Sequence, residues 1–130
     1  MRKGNNNNVH RYIEQAERHL QQGEKEFEGG DLRQAGEKYW GSATQMLKAW
    51  ATSKGIRHNG HAWLFEAASK LSSEENEIAL KEAFILASAL HTNFYEGWLT
   101  KDEVEVAALK SKAFCKRIKE ILVSVQPLNR

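Results

Sequence analysis

The sequence predicts an all-α fold, a single-domain, up-and-down bundle of about five helices. Apolar residues recur every three or four positions along most of the chain, which is the spacing of one helical face. The one proline, Pro127, stands near the end of the chain, and the glycines gather where helices would stop. With 130 residues, 41% of them apolar and 28% charged, the chain has the size and composition of one globular domain.

The first helix is predicted over Val9–Phe27, after an Asn-rich segment, residues 1–8, that we expect to be a flexible tail. It should end at Gly29–Gly30, because glycine readily adopts the left-handed conformation that closes a helix. Asp31, with Gln34 three residues later, has the spacing of a capping box and should begin the second helix. The short joint predicts an antiparallel hairpin, as in a tetratricopeptide unit, although no 34-residue repeat follows.

Two glycines, Gly36 and Gly41, interrupt the second helix. Each weakens an isolated helix by about 1 kcal/mol relative to alanine. We therefore expect a tight helix crossing to compensate for them.

A polar loop around residues 55–61 separates the second helix from a short third one. Ser72 and Glu75 have capping-box spacing, so we expect the third helix to end and the fourth to begin there. Apolar residues surround more than half of the fourth helix, which predicts that it is the most buried of the five.

The fifth helix is predicted from Thr100, which has Glu103 in the reciprocal capping position, to just before Pro127. The domain organisation that follows is a helical bundle over residues 9–126 and a C-terminal tail over residues 127–130.

The composition excludes several classes of protein. Cys115 is the only cysteine, so a disulfide-stapled secreted protein is excluded and a reducing cytoplasm is expected. No apolar run approaches the roughly 20 residues of a membrane span, so we expect no membrane association. Nineteen basic and seventeen acidic residues give a net charge of +2, far below the excess typical of a duplex-DNA-binding protein.

Two segments, Gly30–Gly41 and Ala89–Leu99, resemble an archaeal family of uncharacterised, repeat-derived paralogues. That family is similar to the HEPN superfamily, named for nucleotide binding in higher eukaryotes and prokaryotes. The resemblance covers most of the chain, and the string His91–Tyr95 is its more specific part. It implies a HEPN-like helical bundle, commonly a homodimer, with functions from nucleotide binding to metal-independent RNA cleavage.

The corner after the fourth helix and the polar loop carry the candidate ligand-binding residues, which are His91, Asn93, Tyr95, Trp98, Arg57, His58 and His61. Imidazole, amide and aromatic groups can meet a base or a phosphate. The same residues also suit structural roles: His91 can bond a carbonyl at the helix end, Asn93 can close the helix, and Tyr95 can pack its ring. The four tryptophans can pack in the core or stack on bases, and Trp98 is expected to be the most exposed.

Catalysis is less well supported by the sequence than binding. HEPN ribonucleases place an arginine about one helical turn before a histidine, but residues 86–89, which precede His91, include none. A ribonuclease would need an arginine from the loop, such as Arg57, or from a second subunit. His58 and His61 do not predict a metal site, because residues 55–65 contain no acid or cysteine. We expect no metal and no cofactor.

Five basic residues share one broad face of the fifth helix: Lys110, Lys112, Lys116, Arg117 and Lys119. This face can either contact phosphates or simply be solvated. Cys115 lies among these cations, which can lower the pKa of its thiol, but no neighbouring histidine is available as a base. We therefore predict no nucleophile.

The leading hypothesis is a non-catalytic helical module, dimeric through a helical face, that binds a nucleotide, an RNA or a partner protein around His91. One alternative is a metal-independent, toxin-like endoribonuclease. Another is a tetratricopeptide-like scaffold that holds a partner peptide along the first hairpin.

Overall fold

The computed structural model describes residues 3–125, and side chains from Asn6 to Ser124, as helices joined by short turns. The five helices are α1 (Lys3–Glu28), α2 (Leu32–Lys54), α3 (His61–Glu75), α4 (Ile78–Glu96) and α5 (Lys101–Val125). The predicted all-α, single-domain bundle is confirmed. Within the described range, no helix has an apolar stretch long enough to cross a membrane.

Helix α1 begins earlier than the sequence pattern indicates. It includes residues 3–8, which were assigned to a flexible tail. Asparagine has a low helix propensity, so periodicity alone does not reveal this extension. Arg11 donates to the side-chain oxygen of Asn8, one turn earlier, and this contact supports the helical conformation. The predicted C-terminal tail, residues 127–130, lies outside the described residues.

Two of the predicted helix caps are confirmed. The Oδ1 atom of Asp31 accepts the backbone N–H of Gln34 at 3.2 Å and so caps α2. At the start of α5, the backbone N–H of Glu103 donates to Thr100 Oγ1 at 3.2 Å. The backbone N–H of Thr100 donates in return to the Glu103 carboxylate at 2.9 Å. This is a complete capping box.

The predicted start of α4 at Ser72 is wrong. Helix α3 continues to Glu75 and closes at Asn76, whose φ of 56° is left-handed. Ser72 is buried within α3, where its hydroxyl donates to the carbonyl of Glu77 at 2.9 Å. Asparagine tolerates the left-handed conformation better than most residues, so Asn76 makes the turn that was expected at Ser72.

Helix α2, not α4, is the most buried element. It packs against each of the other four helices. Twelve of its residues are buried, against six in α4, so the prediction for α4 is wrong. Small residues in α2 explain its central position, because they allow neighbouring helices to approach closely.

The tight crossings expected at the two α2 glycines are confirmed. A Cβ added at Gly36 would stand 3.3 Å from Leu90 Cδ2 of α4. A Cβ added at Gly41 would stand 3.3 Å from ring carbons of His19 in α1. The missing side chains therefore allow α1 and α4 to contact the α2 backbone.

The α1–α2 hairpin is covered on its α2 side. Helices α3, α4 and α5 all pack against α2. The tetratricopeptide-like scaffold stays a prediction.

Candidate functional site

Aromatic and imidazole rings from three helices meet at one surface. Trp40 comes from α2, His61 is the first residue of α3, and His91 lies on α4. The ring centroids are 5.7 Å apart for Trp40 and His61, 5.4 Å for Trp40 and His91, and 5.5 Å for the two histidines. The angles between these ring planes range from 5° to 27°, so the three rings are close to parallel.

Tyr95 completes this group, which we name the ring cluster: Trp40, His61, His91 and Tyr95. Its ring meets His91 edge-on, with centroids 5.6 Å apart. His91 and Tyr95 are four residues apart on α4, which places them on the same helical face. Tyr95 is 66% exposed and Trp40 is buried, so the cluster extends from the core to solvent.

Glycines position His61. Helix α2 closes at Gly55, with a φ of 70°, and the following loop ends at Gly60, with a φ of 88°. Residues with a Cβ rarely adopt such angles, so glycine is suited to both ends of the loop. The sharp turn at Gly60 starts α3 with the His61 ring stacked on Trp40.

Glu37 orients His91. The Nδ1 atom of His91 lies 2.9 Å from Oε1 of Glu37, and both side chains are half-buried. A carboxylate only accepts hydrogen bonds, so Nδ1 carries the hydrogen and Nε2 is the acceptor in the neutral ring. No hydrogen bond joins Nε2 to another residue in the described part of the chain. The imidazole therefore has one nitrogen available for a ligand or a proton.

Asn93 does not join the ring cluster. It is only 1% exposed, and its Oδ1 atom accepts the backbone N–H of Leu99 at 2.7 Å. This bond fixes the turn between α4 and α5. Asn93 does not close the helix, as was considered for it, because α4 continues to Glu96 and closes at Gly97, whose φ is 66°. Trp98 is 57% exposed and is the most exposed tryptophan, as predicted. It makes no ring contact with the cluster among the described residues.

Of the three candidate ligand-binding residues in the polar loop, only His61 belongs to the ring cluster. The Nδ1 atom of His58 lies 3.0 Å from the Ile56 carbonyl, and its ring meets Tyr12 edge-on. The Arg57 guanidinium lies over the Trp63 ring, 4.5 Å from its centroid. Sequence proximity within the loop therefore does not bring Arg57 and His58 to the site.

No arginine contacts His91 in the described residues. Arg33 on α2 approaches the same end of α4, but its guanidinium donates to the carbonyls of Phe94 at 2.8 Å and Tyr95 at 2.9 Å. These bonds stabilise the C-terminal end of α4, where carbonyls lack helical partners. Arg33 therefore has a structural role there.

Ion pairs neutralise much of the predicted basic face on α5. The pairs join Lys112 to Glu24 at 2.6 Å, Arg117 to Glu77 at 2.6 Å, and Lys119 to Glu17. The hydrogen bonds from Lys112 and Arg117 hold the pKa values of their partner carboxyls below the usual range. Of the five cations, only Lys110 and Lys116 lack an acidic partner in the described part of the chain. The face therefore attracts phosphate less strongly than five unpaired cations would.

Cys115 is not activated by its basic neighbours. The side chain is buried, with Sγ 3.7 Å from Ser42 Oγ, and burial raises the pKa of the thiol to about 12. The expectation that nearby cations lower this pKa is wrong, because desolvation of the thiolate outweighs their attraction.

The sequence did not identify Glu37 as a site residue. Glu37 and Trp40 are three residues apart on α2 and so share a face. Both lie in the segment Gly30–Gly41, which carries part of the family resemblance. Their position on one helical face of this segment is the sequence feature that could have predicted them as site residues.

Comparisons with known proteins support the archaeal resemblance. Residues 11–115 match the model of the archaeal PaREP1/PaREP8 family. The crystal structure of a protein from Sulfolobus solfataricus superposes with a TM-score of 0.73 at 24% identity, over 83% of this chain and 96% of that one. At this identity the match shows a common fold alone, and among curated proteins none is significantly similar. The HEPN likeness stays a prediction. Because the family match spans most of the sequence, the chain belongs to the archaeal PaREP1/PaREP8 family.

Proposed function

We propose that the ring cluster binds a nucleotide or a short stretch of single-stranded RNA without catalysing a reaction. The observation that carries this proposal is the near-parallel set of Trp40, His61 and His91 rings, which three helices hold together between the core and solvent. Every nucleobase has a flat π face, and stacking on an aromatic side chain contributes about 1–3 kcal/mol per base. Exposed His61 and Tyr95 offer ring faces to a base.

Polar groups beside these rings can bind the rest of a nucleotide. The free Nε2 atom of His91 can accept a hydrogen bond from a base edge, or donate one to a phosphate oxygen when the ring is protonated. The bond from His91 to Glu37 holds the imidazole in one orientation. A preoriented ring loses little conformational freedom on binding, which favours affinity.

Fluorescence anisotropy of a labelled single-stranded RNA, with unlabelled nucleotides as competitors, tests the proposal. We expect His61→Ala and Tyr95→Ala each to weaken binding by about tenfold, the loss of one stacking contact. His10→Ala is a matched control, because His10 is exposed and has no ring contact with the cluster. Absence of binding at millimolar concentrations, or an equal loss in the control, would exclude the site and leave a partner protein as the ligand.

A second candidate function is metal-independent cleavage of RNA, favoured by the 5.5 Å separation of the two imidazoles. In such a reaction one imidazole takes the proton of a ribose 2′-hydroxyl, which attacks the phosphorus. The other protonates the departing 5′ oxygen and leaves a 2′,3′-cyclic phosphate. The absence of an arginine in contact with His91, within the described residues, makes this the weaker candidate.

Incubation of the protein with RNA in excess chelator separates the two candidates. Cleavage that is lost in both His61→Ala and His91→Ala, but kept in His10→Ala, would establish the catalytic function. If RNA binds and stays intact, the non-catalytic function stands.

We also propose that the chain is a homodimer and acts in the cytoplasm. The resemblance supports the homodimer, and the single buried cysteine suits a reducing compartment. Neither statement depends on the ring cluster.

A further inference from the structure

The hydrogen of the neutral His91 imidazole has a fixed position. Oε1 of Glu37, on α2, lies 2.9 Å from Nδ1 of His91, on α4. A carboxylate can only accept a hydrogen bond, so Nδ1 holds the hydrogen and Nε2 holds a lone pair. A histidine without such a partner can carry its hydrogen on either nitrogen. In this site, Nε2 of the neutral ring can accept a hydrogen bond but cannot donate one.

The direction of this lone pair decides where a ligand must lie. The lone pair of an imidazole nitrogen points outward from the edge of the ring, in the ring plane. The N–H groups of a nucleobase likewise lie in the plane of the base. A base that stacks directly on His91 therefore cannot donate to Nε2, because its N–H groups lie in a parallel plane. A base that stacks on a neighbouring ring, and extends to the edge of His91, can do so.

His61 is a suitable neighbouring ring. Its centroid is 5.5 Å from that of His91, and the two planes differ by 27°. His61 is exposed, and the buried Trp40 supports it with a ring plane that differs by only 5°. A base parallel to His61 is therefore tilted by 27° from His91. Hydrogen bonds tolerate this tilt, since they weaken steeply only when the angle at the hydrogen falls below about 120°.

Nucleobases differ in what they present at such an edge. Adenine, cytosine and guanine each carry an exocyclic amine, which donates in the plane of the base, whereas uracil carries carbonyl oxygens. An amine can donate to Nε2 of His91. A carbonyl oxygen would place two acceptors against each other, and both would lose their bonds to water without replacement. The ring N–H of uracil lies between two such oxygens, so its approach brings them towards Nε2.

We propose that the ring cluster selects a nucleotide whose base carries an exocyclic amine, and that Glu37 sets this specificity by fixing the tautomer of His91. The inference rests on the nucleotide binding proposed above and names the ligand class of the same site. Glu37 is a positioning residue, because it acts on the ligand only through the imidazole. The other tautomer would present an N–H at this edge and would favour a carbonyl oxygen.

A pair of competitors that differ in one amine tests the selectivity. Adenosine monophosphate and purine riboside 5′-monophosphate each compete with a labelled single-stranded RNA at about pH 8, where imidazoles are ordinarily neutral. The two nucleotides share the purine ring, the ribose and the phosphate, so the difference between their affinities reports the amine. We expect the adenosine nucleotide to compete about fivefold better, which corresponds to one hydrogen bond.

Substitution of Glu37 separates its role from any effect of the amine on stacking. In Glu37→Gln the amide can accept from Nδ1 through its oxygen or donate to it through its NH₂ group, so both tautomers of His91 become available. We expect the preference to fall below about twofold, and His91→Ala to abolish it. Glu14→Gln, at an exposed glutamate on α1, is the matched control and should keep the preference. Partial unfolding of a variant does not change the ratio of the two affinities, since both ligands bind the same folded fraction.

Nuclear magnetic resonance can identify the tautomer directly, because the chemical shift of an imidazole nitrogen depends on whether it carries a hydrogen. We expect the hydrogen on Nδ1 of His91 in the wild-type protein, and distributed over both nitrogens in Glu37→Gln. A hydrogen on Nε2 in the wild-type protein would overturn the proposal.

The binding results distinguish failure of this inference from failure of the proposed function. Equal competition by the two nucleotides in the wild-type protein would overturn the specificity, while RNA binding by the ring cluster would stand. An undiminished preference in Glu37→Gln would overturn the role of Glu37. Absence of any binding would overturn both this inference and the proposed function.

Discussion

His19 on α1 packs against Gly41 of α2, and its Nδ1 atom is buried without a hydrogen-bond partner among the described residues. Burial lowers the pKa of this histidine, and the nearby cations Lys38 and Arg18 lower it further. Protonation would place a poorly solvated charge between two helices, at a cost in desolvation. At the residue scale, the position of the ring between helices therefore favours its neutral form.

We predict that His19 makes folding stability depend on pH. Its pKa in the folded state lies below 6.5, so the unfolded chain binds the proton more readily. The contribution to stability is present above pH 6.5 and decreases as the pH falls through the folded-state pKa. Urea unfolding at pH 7.5 and 5.5 should show a larger decrease for the wild type than for His19→Gln. Equal decreases would contradict the prediction, since the other histidines are common to both proteins.

The element scale is governed by how each helix begins and ends. Both Thr100–Glu103 and Ser72–Glu75 match the capping-box pattern in sequence, but only the first begins a helix. The hydroxyl of a cap must face free backbone N–H groups. These occur only in the first turn of a helix, where no preceding helical turn supplies carbonyl acceptors. Asn76 closes α3 after Ser72, so Ser72 remains inside the helix.

We predict that Thr100→Ala lowers the free energy of unfolding by about 0.5–2 kcal/mol, because the N–H of Glu103 loses its acceptor. Ser73→Ala should change it by less than about 0.5 kcal/mol, since Ser73 is exposed and its side chain caps no helix. Urea unfolding of both variants measures the difference. A similar loss in both would indicate that the cap at Thr100 contributes little.

The whole molecule is organised around α2, whose glycines and alanines allow the other helices to approach. Gly36 of α2 lies against Leu90 of α4 and Gly41 of α2 against His19 of α1, while Gly23 of α1 lies against the buried Tyr39 ring of α2. Tyr39 also donates to Glu24 at 2.8 Å, and burial, assisted by that carboxylate, raises the pKa of the phenol. Packing and a polar contact therefore reinforce each other between α1 and α2.

We predict that Gly36→Val lowers the free energy of unfolding by about 1–3 kcal/mol, because its side chain would overpack against Leu90. Helix propensity alone would make this substitution slightly stabilising, so the sign of the change is decisive. Glu66→Val, on the exposed face of α3, should change stability by only about 0.5 kcal/mol. Thermal or urea unfolding distinguishes the two results, and a stabilised Gly36→Val would show that the crossing is not tight.

Part of the site could be predicted from the sequence because some signals are local. The imidazole of His91 and the ring of Tyr95 share one face of α4 by spacing alone. The roles of Asn93 and Glu37 could not be assigned, since Asn93 turns to the α4–α5 corner and Glu37 meets His91 from 54 residues away. Those outcomes depend on side-chain direction and on how α2 packs against α4.

The sequence alone determined that the chain forms one all-helical domain, with caps at Asp31 and Thr100 and close crossings at the α2 glycines. These features follow from interactions within a few residues of each other, or from the absence of a side chain. Only the tertiary structure decided that His61 meets His91 and Trp40, and that acids from distant elements neutralise three cations of α5. Such contacts depend on the distances between packed helices, which helical periodicity does not encode.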